Sequence, residues 1–236
     1  MSDENLREHR YADSNTLADA LAQSVADDLR SGIAARDQAT LVVSGGTTPK
    51  KFLAKLSQQD LDWPNVTITL ADERWVPPTH ARSNEHLLRE TLFTGRAVAA
   101  TFVSLYTAVA DPESGLAEIA RRIGALPLPF DAVVLGLGND GHTASLFPDG
   151  DRFAQACDAR NPARVSPMRS ATAGEPRITL TVSALAATRA LYLHIEGADK
   201  HATLARVRAG EGTYARSPLR ALLHAARVPL NVYTCA

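Results

Sequence analysis

The sequence predicts an α/β fold: a doubly wound, mainly parallel sheet with helices on both faces. Three observations carry that prediction. Short apolar runs rich in β-branched residues, such as Leu41-Val42-Val43 and Val133-Val134, recur along the chain, as strands buried on both faces do. Segments with apolar residues at helical spacing alternate with them, which is the order of successive βαβ units. Two of the strands stop at glycine-rich turns, and an open α/β sheet keeps its ligands at such strand ends. A chain of 236 residues, 45% of them hydrophobic, can bury a substantial core. One domain over 1–236 is expected, with a small excursion at about 150–174 where the composition becomes looser and polar.

Taken in order, a polar lead precedes a helix that Ser14 or Asn15 can cap, with Leu17, Leu21, Val25 and Leu29 on one stripe. Gly32 and Asp37 close it roughly. Ala39 to Val43 reads as a buried strand, and Ser44-Gly45-Gly46-Thr47-Thr48-Pro49 follows as a glycine turn. Lys50 to Gln58 reads as a helix with Thr48 at its N-cap and Pro49 first in it. Asn65 to Leu70 alternates as a strand and runs into Asp72-Glu73-Arg74-Trp75-Val76-Pro77-Pro78, where two prolines argue against any regular element. Ser83 can cap a helix over Asn84 to Phe93, a weak strand is expected near Thr101 to Leu105, and Asp111-Pro112-Glu113 starts another helix. Strands are then expected from Asp131, over Ala163 to Met168, Arg177 to Val182, Ala190 to Ile195, and Leu230 to Thr234. Gly210 stops a helix carrying Lys200, Leu204 and Val207, and Ser217-Pro218 starts the last one.

Composition excludes several classes. A formal net charge of −1, with no basic run longer than Arg121-Arg122 or Lys50-Lys51, leaves no field for gathering nucleic acid. Cys157 and Cys235 are too few for a disulfide framework and lack metal-ligand spacing. Met1 to Arg10 has no apolar core of a signal peptide, and no run of about 18 apolar residues could span a membrane. A cytoplasmic protein that binds neither nucleic acid nor membrane is expected, as a monomer or a small homo-oligomer.

Three stretches carry chemistry. In the Ser44–Thr48 turn, Gly45 and Gly46 let backbone approach a phosphate, while Ser44, Thr47 and Thr48 add hydroxyls. A Walker A spacing is absent, so a small phosphorylated ligand fits better than a nucleoside triphosphate; a plain tight turn is the competing reading. In Asp72-Glu73-Arg74, extended backbone would send Asp72 and Arg74 to one side and Glu73 to the other. Asp72 and Arg74 are then candidates for the site, and Glu73 for bracing the scaffold.

The third stretch, Gly136-Leu137-Gly138-Asn139-Asp140-Gly141-His142, spells a dinucleotide fingerprint. It lies past the middle of the chain, and Pro148 obstructs the crossover helix that such a site needs. Its glycines instead shape a turn presenting Asn139, Asp140 and His142. A neutral imidazole near its reference pKa of about 6.5 suits a general base, and Asp140 could fix its tautomer. No G-x-S-x-G elbow supports an acylated serine, and no zinc spacing is present. Arg177 and Lys200 follow or open strand ends, where either cation could reach a bound phosphate.

Together, Ser44-Gly45-Gly46-Thr47-Thr48-Pro49, Asp72-Glu73-Arg74-Trp75-Val76-Pro77 with Ser83-Asn84, and Gly136 through Pro148 resemble the 6-phosphogluconolactonases of the glucosamine-6-phosphate isomerase/6-phosphogluconolactonase family. Pro176-Arg177-Ile178-Thr179-Leu180-Thr181 and Lys200 extend the likeness over most of the chain. The resemblance implies the sugar-phosphate isomerase/deaminase-like fold. It also implies hydrolysis of 6-phospho-D-glucono-1,5-lactone in the oxidative pentose phosphate pathway, without metal or organic cofactor. The sites it implies are His142, Asp140, Arg74 and Asp72 for catalysis. Ser44, Gly45, Gly46, Thr47, Thr48, Asn139, Arg177 and Lys200 would bind substrate. Glucosamine-6-phosphate deaminase is the competing activity; those enzymes usually carry Asp-Glu-Tyr where this chain has Asp72-Glu73-Arg74. A non-catalytic sugar-phosphate sensor is the third possibility, against which the intact Asp140 and His142 speak.

Overall fold

The computed structural model describes residues 5–236; the first four residues of the polar lead lie outside them. Among the described residues, seven strands form one sheet: β1 (Leu6–Tyr11), β2 (Ala39–Val43), β3 (Val66–Leu70), β5 (Thr101–Val103), β6 (Ala132–Leu135), β9 (Leu191–Glu196) and β10 (Leu230–Cys235). Their order across the sheet is β1-β10-β9-β6-β2-β3-β5, and every pairing is parallel. From β2 the chain winds outward through β3 and β5, then returns to β2's other side at β6 and winds away through β9 and β10. The reversal falls between β2 and β6, so a crevice opens beyond their carboxyl ends. All five residues of β2 are buried, which is why its sequence is a continuous apolar run rather than an alternation.

The strand β1 stands where the sequence reads only as a polar lead. It is a sheet edge, paired to β10 alone with Leu6 opposite Leu230, and an edge can keep one side polar. Helix α1 (Ser14–Arg36) is capped by Asp13 rather than by Ser14 or Asn15. Extended backbone at Asp13 lets its carboxylate accept from Asn15 and Thr16 N–H at 2.8 and 2.9 Å, whereas Ser14 and Asn15 are already helical. Leu17, Leu21, Val25 and Leu29 are fully buried as the stripe requires. Gly32 does not stop the helix: it lies inside it, and a Cβ there would come within 2.7 Å of the Asp131 carboxylate. The stop is Asp37, in the left-handed conformation at φ 58°.

Helix α2 (Lys50–Leu56) starts one residue later than expected, with Pro49 at its N-cap and no side-chain cap. A second sheet, unforeseen in the sequence, is antiparallel: β4 (Asp72–Arg74), β8 (Arg177–Leu180) and β7 (Val165–Met168), in that order. Residues 72–74 are therefore a strand, because Pro77 and Pro78 come after the pairing ends and Arg74 meets Arg177 across the ladder. Strand β8 stops at Leu180, since Thr181 caps a short helix α6 (Val182–Ala186) that takes Val182 out of the expected strand. Ala71 joins the two sheets: its N–H donates to Val43 of the parallel sheet, and its carbonyl accepts from Leu180 of the small one. The remaining α-helices among the described residues are α3 (Asn84–Thr91), α4 (Pro112–Gly124), α5 (Phe153–Ala156), α7 (Ala198–Ala209) and α8 (Pro218–Ala225). Residues of the expected 150–174 excursion supply α5 and β7. Among the described residues, no helix is long and apolar enough to cross a membrane.

Candidate active site

A cavity of about 270 Å³ occupies the crevice between β2 and β6. Its walls are the Ser44–Thr48 turn after β2, the turn after β6 as far as Ala144, the end of β9 with Lys200, and side chains of the small sheet.

The first turn is shaped by its glycines. Ser44 N–H donates to Val134 carbonyl at 3.0 Å, tying the turn to β6. A Cβ at Gly45 would fall 2.0 Å from Asn84 Oδ1. Gly46 has φ +99°, which L-residues adopt at a cost. Ser44, Gly45, Gly46, Thr47 and Thr48 all contribute to the wall. Ser44 Oγ is buried without a partner.

In the second turn, Gly138 N–H donates to His142 carbonyl (2.8 Å) and Gly141 N–H to Gly138 carbonyl (2.9 Å), with Gly141 at φ +87°. Side chains from the far end of the chain clamp it: Ser217 Oγ donates to Gly141 carbonyl at 2.6 Å and Tyr214 hydroxyl to Asn139 carbonyl at 3.0 Å. The product of this folding is a dyad. His142 Nδ1 lies 2.5 Å from Asp140 Oδ1, and the ring leans on Phe147 with centroids 4.5 Å apart. Burial raises the Asp140 pKa, but the hydrogen bond and charge of His142 outweigh it and hold the carboxyl below its ordinary value. An anionic partner at Nδ1 keeps the proton there and leaves Nε2 as the basic atom.

The strand β4 divides its three side chains as the alternation requires. Asp72 and Arg74 line the cavity, while Glu73 is buried on the opposite side. There Glu73 accepts from Arg74, Asn84 and Glu85 N–H, each at 2.7 Å, and from Ser83 Oγ at 3.0 Å. Burial pushes its pKa up, against the pull of those donors. Asn84 in turn donates to Asp72 carbonyl at 2.9 Å, so the helix α3 start holds both β4 and, through Gly45, the first turn. Asp72 Oδ2 accepts from Ser145 Oγ at 2.5 Å, which links β4 to the loop bearing His142. Between them, Ala144 lines the cavity at φ +50°, a strained value for a residue with a Cβ.

Arg74 donates to Arg82 carbonyl at 2.6 Å, and its Nε is buried without a partner. Arg177, directly across the ladder, donates to Ala173 carbonyl at 2.7 Å and lies 5.6 Å above the Phe147 ring. Burial lowers its pKa, Asp72 raises it and Arg74 lowers it again. Two opposed guanidinium groups repel, so the pair is poised for an anion. Lys200, in the first turn of α7, also has its pKa lowered by burial, against the pull of Asp140 and Asp199.

Of the residues singled out in the sequence, Ser44, Gly45, Gly46, Thr47, Thr48, Asp72, Arg74, His142, Arg177 and Lys200 meet at this cavity. Asp140 stands behind His142. Asn139 is exposed and outside the wall, and its carbonyl is engaged by Tyr214. The sequence reading missed His194, a buried wall residue of β9, and the roles of Asn84 and Ser145. Asn84 was visible beside the Ser83 cap; His194 had no signal beyond its place in an apolar strand. Among the described residues, no group of three or more His, Cys, Asp and Glu is arranged to hold a metal ion.

Residues 12–230 match the family described as glucosamine-6-phosphate isomerases/6-phosphogluconolactonase. The chain is 46% identical over 225 residues to a 6-phosphogluconolactonase of Rhizobium meliloti, covering 95% of this chain and 97% of the relative. It is 42% identical over 227 residues to that of Pseudomonas putida, covering 96% and 92%. The crystal structure of a 6-phosphogluconolactonase from Shewanella baltica superposes with a TM-score of 0.93 at 37% identity, covering 98% of each chain.

Proposed function

We propose a reaction from one premise: this chain belongs to the glucosamine-6-phosphate isomerase/6-phosphogluconolactonase family. The reaction is hydrolysis of 6-phospho-D-glucono-1,5-lactone to 6-phospho-D-gluconate, a step of the oxidative pentose phosphate pathway. Support comes from relatives of that name along nearly the whole chain. Arg74 supports it too, standing where the deaminases usually carry tyrosine. The observation that carries the mechanism is the His142–Asp140 dyad at the cavity wall.

In this scheme the phosphate rests on the Ser44–Thr48 turn, with Arg177 and Lys200 supplying positive charge. The lactone carbonyl then points toward Arg74 and His142. Nε2 of His142 takes a proton from water as the water oxygen bonds to C1, and Asp140 stabilises the imidazolium. Charge moves onto the carbonyl oxygen, where Arg74 and open N–H groups of the turns receive it. As the tetrahedral centre collapses, the bond between C1 and the ring oxygen breaks and the His142 proton passes to that oxygen. The new carboxylic acid ionises and releases one proton to solvent. Asp72, fixed by Ser145 and Asn84, orders Arg74 or a sugar hydroxyl.

General-base catalysis contributes about 10² to 10⁴ in rate. His142→Ala is expected to lower kcat by that factor, with a modest change in KM, in an assay following acid release from fresh lactone. A near-normal kcat would remove His142 from the scheme. Offering glucosamine 6-phosphate to the wild type and watching for ammonia separates the deaminase chemistry.

A further inference from the structure

Three of the buried side-chain polar atoms that lack a partner among the described residues belong to cavity-wall residues: Ser44 Oγ, Arg74 Nε and His194 Nδ1. The reaction scheme supplies ligands for the first two, a phosphate and a developing oxyanion. It leaves His194 unused.

The surroundings of His194 fix what that atom can do. Its side chain is 2% exposed, with Nε2 at 2.9 Å from Glu196 Oε1 and the ring edge-on to Phe52 at 6.2 Å. Burial lowers the pKa of this imidazole, against the pull of Glu196, and so favours the neutral ring. A carboxylate at Nε2 holds the single proton on that nitrogen, which leaves Nδ1 a bare acceptor. An acceptor shut away from water without a donor is costly, and native structures seldom keep one without a use.

Open space lies beside the residue, over its strand neighbour, and a small turn of the ring would bring Nδ1 to face it. Leu135 pairs with Leu193, so the next residues, Gly136 and His194, are neighbours at the strand ends. Both line the cavity, and a Cβ built on Gly136 would meet nothing within 4 Å. Gly136 is not among the positive-φ glycines of the described backbone. What its missing side chain leaves is room.

We propose that His194 is a specificity-determining residue: the space over Gly136 receives a ring hydroxyl of the sugar lactone, which donates a hydrogen bond to His194 Nδ1. The inference rests on the lactone reading above and deepens it, since it names the part of the substrate other than phosphate and carbonyl that the cavity recognises. Glu196 serves by holding the ring and its proton in place.

The test compares 6-phosphogluconolactone with its 2-, 3- and 4-deoxy forms in three variants, with urea midpoints as the check on folding. One hydrogen bond is worth roughly tenfold in kcat/KM. Wild type should therefore hydrolyse one of the deoxy lactones about tenfold less efficiently than the parent. The oxygen of asparagine sits where Nδ1 does, and the amide end of glutamine where Nε2 does. His194→Asn should keep the discrimination, whereas His194→Gln should lose about tenfold on the parent lactone and nothing on the matching deoxy form. Gly136→Ala, which meets no clash, should weaken the parent more than that same deoxy form. A His194→Gln variant that loses equally on all four lactones, or a wild type indifferent to every deoxy substitution, would overturn the proposal. A wild type that hydrolyses no lactone at all would instead overturn the reaction on which it rests.

Discussion

Glu73→Ala should cost this protein more stability than its position on a three-residue strand suggests. The carboxylate is 1% exposed and accepts four hydrogen bonds, three from backbone N–H groups of Arg74, Asn84 and Glu85 and one from Ser83 Oγ. Ser83, Asn84 and Glu85 are themselves buried, so water cannot replace the lost oxygen atoms. At the low end of about 1 kcal/mol for each stranded donor, the loss approaches 4 kcal/mol. Removing a carboxylate whose burial already raises its pKa returns part of that, leaving about 3 kcal/mol. For a chain of this size the melting temperature should fall by roughly 6–12 °C. Urea titration gives the direct measure: the midpoint should drop while the slope stays unchanged. A loss below about 1 kcal/mol would refute the idea that one carboxylate organises the start of α3 and the strand carrying Asp72 and Arg74.

Two further outcomes follow from the same geometry. The Asp140 carboxyl is held below its ordinary pKa by His142, so the dyad's contribution to stability is present above the ordinary aspartate value of about 3.9 and disappears as pH falls through the folded-state value. The urea midpoints of wild type and Asp140→Asn should differ at pH 7 and draw together as pH falls below about 3.9; a difference that persists unchanged in acid would show that the pair does not stabilise as an ion pair. Gly45→Ala should push Asn84 off Asp72, because the new Cβ would overlap Asn84 Oδ1. The activity lost should be partly restored in Gly45→Ala/Asn84→Ala, and strictly additive kcat/KM effects would contradict the coupling.

The parts of the fold legible in the sequence are those set by local periodicity. The buried run of β2, the stripe of α1 and the Gly210 cap of α7 all stand where the pattern places them. What escaped depends on partners distant in the chain. β1 is polar because it is an edge, and nothing in Leu6 to Tyr11 announces that Leu230 to Cys235 lies beside it. β4 is three residues long, and its strand character comes from Arg177 to Thr179 more than a hundred positions away. The site divides in the same way. Its glycine turns, its histidine and the alternation of Asp72, Glu73 and Arg74 can be read from residue type and order. The pairing of Arg74 with Arg177 and the hydrogen bond from Ser145 to Asp72 cannot, because neither is local. Asn139 stands next to the dyad but outside the cavity wall, and what ties it there is its backbone carbonyl, which accepts from the Tyr214 hydroxyl, a partner distant in the chain.

The cavity draws its walls from two sheets that meet at Ala71. The parallel sheet presents the Ser44–Thr48 turn, the histidine dyad and Lys200; the small antiparallel sheet presents Asp72, Arg74 and Arg177. Neither sheet carries a complete set of groups by itself. Arg74, assigned to the carbonyl, and Arg177, assigned to the phosphate, face each other across the small sheet, so one substitution on β4 or β8 is felt at both ends of a bound sugar phosphate.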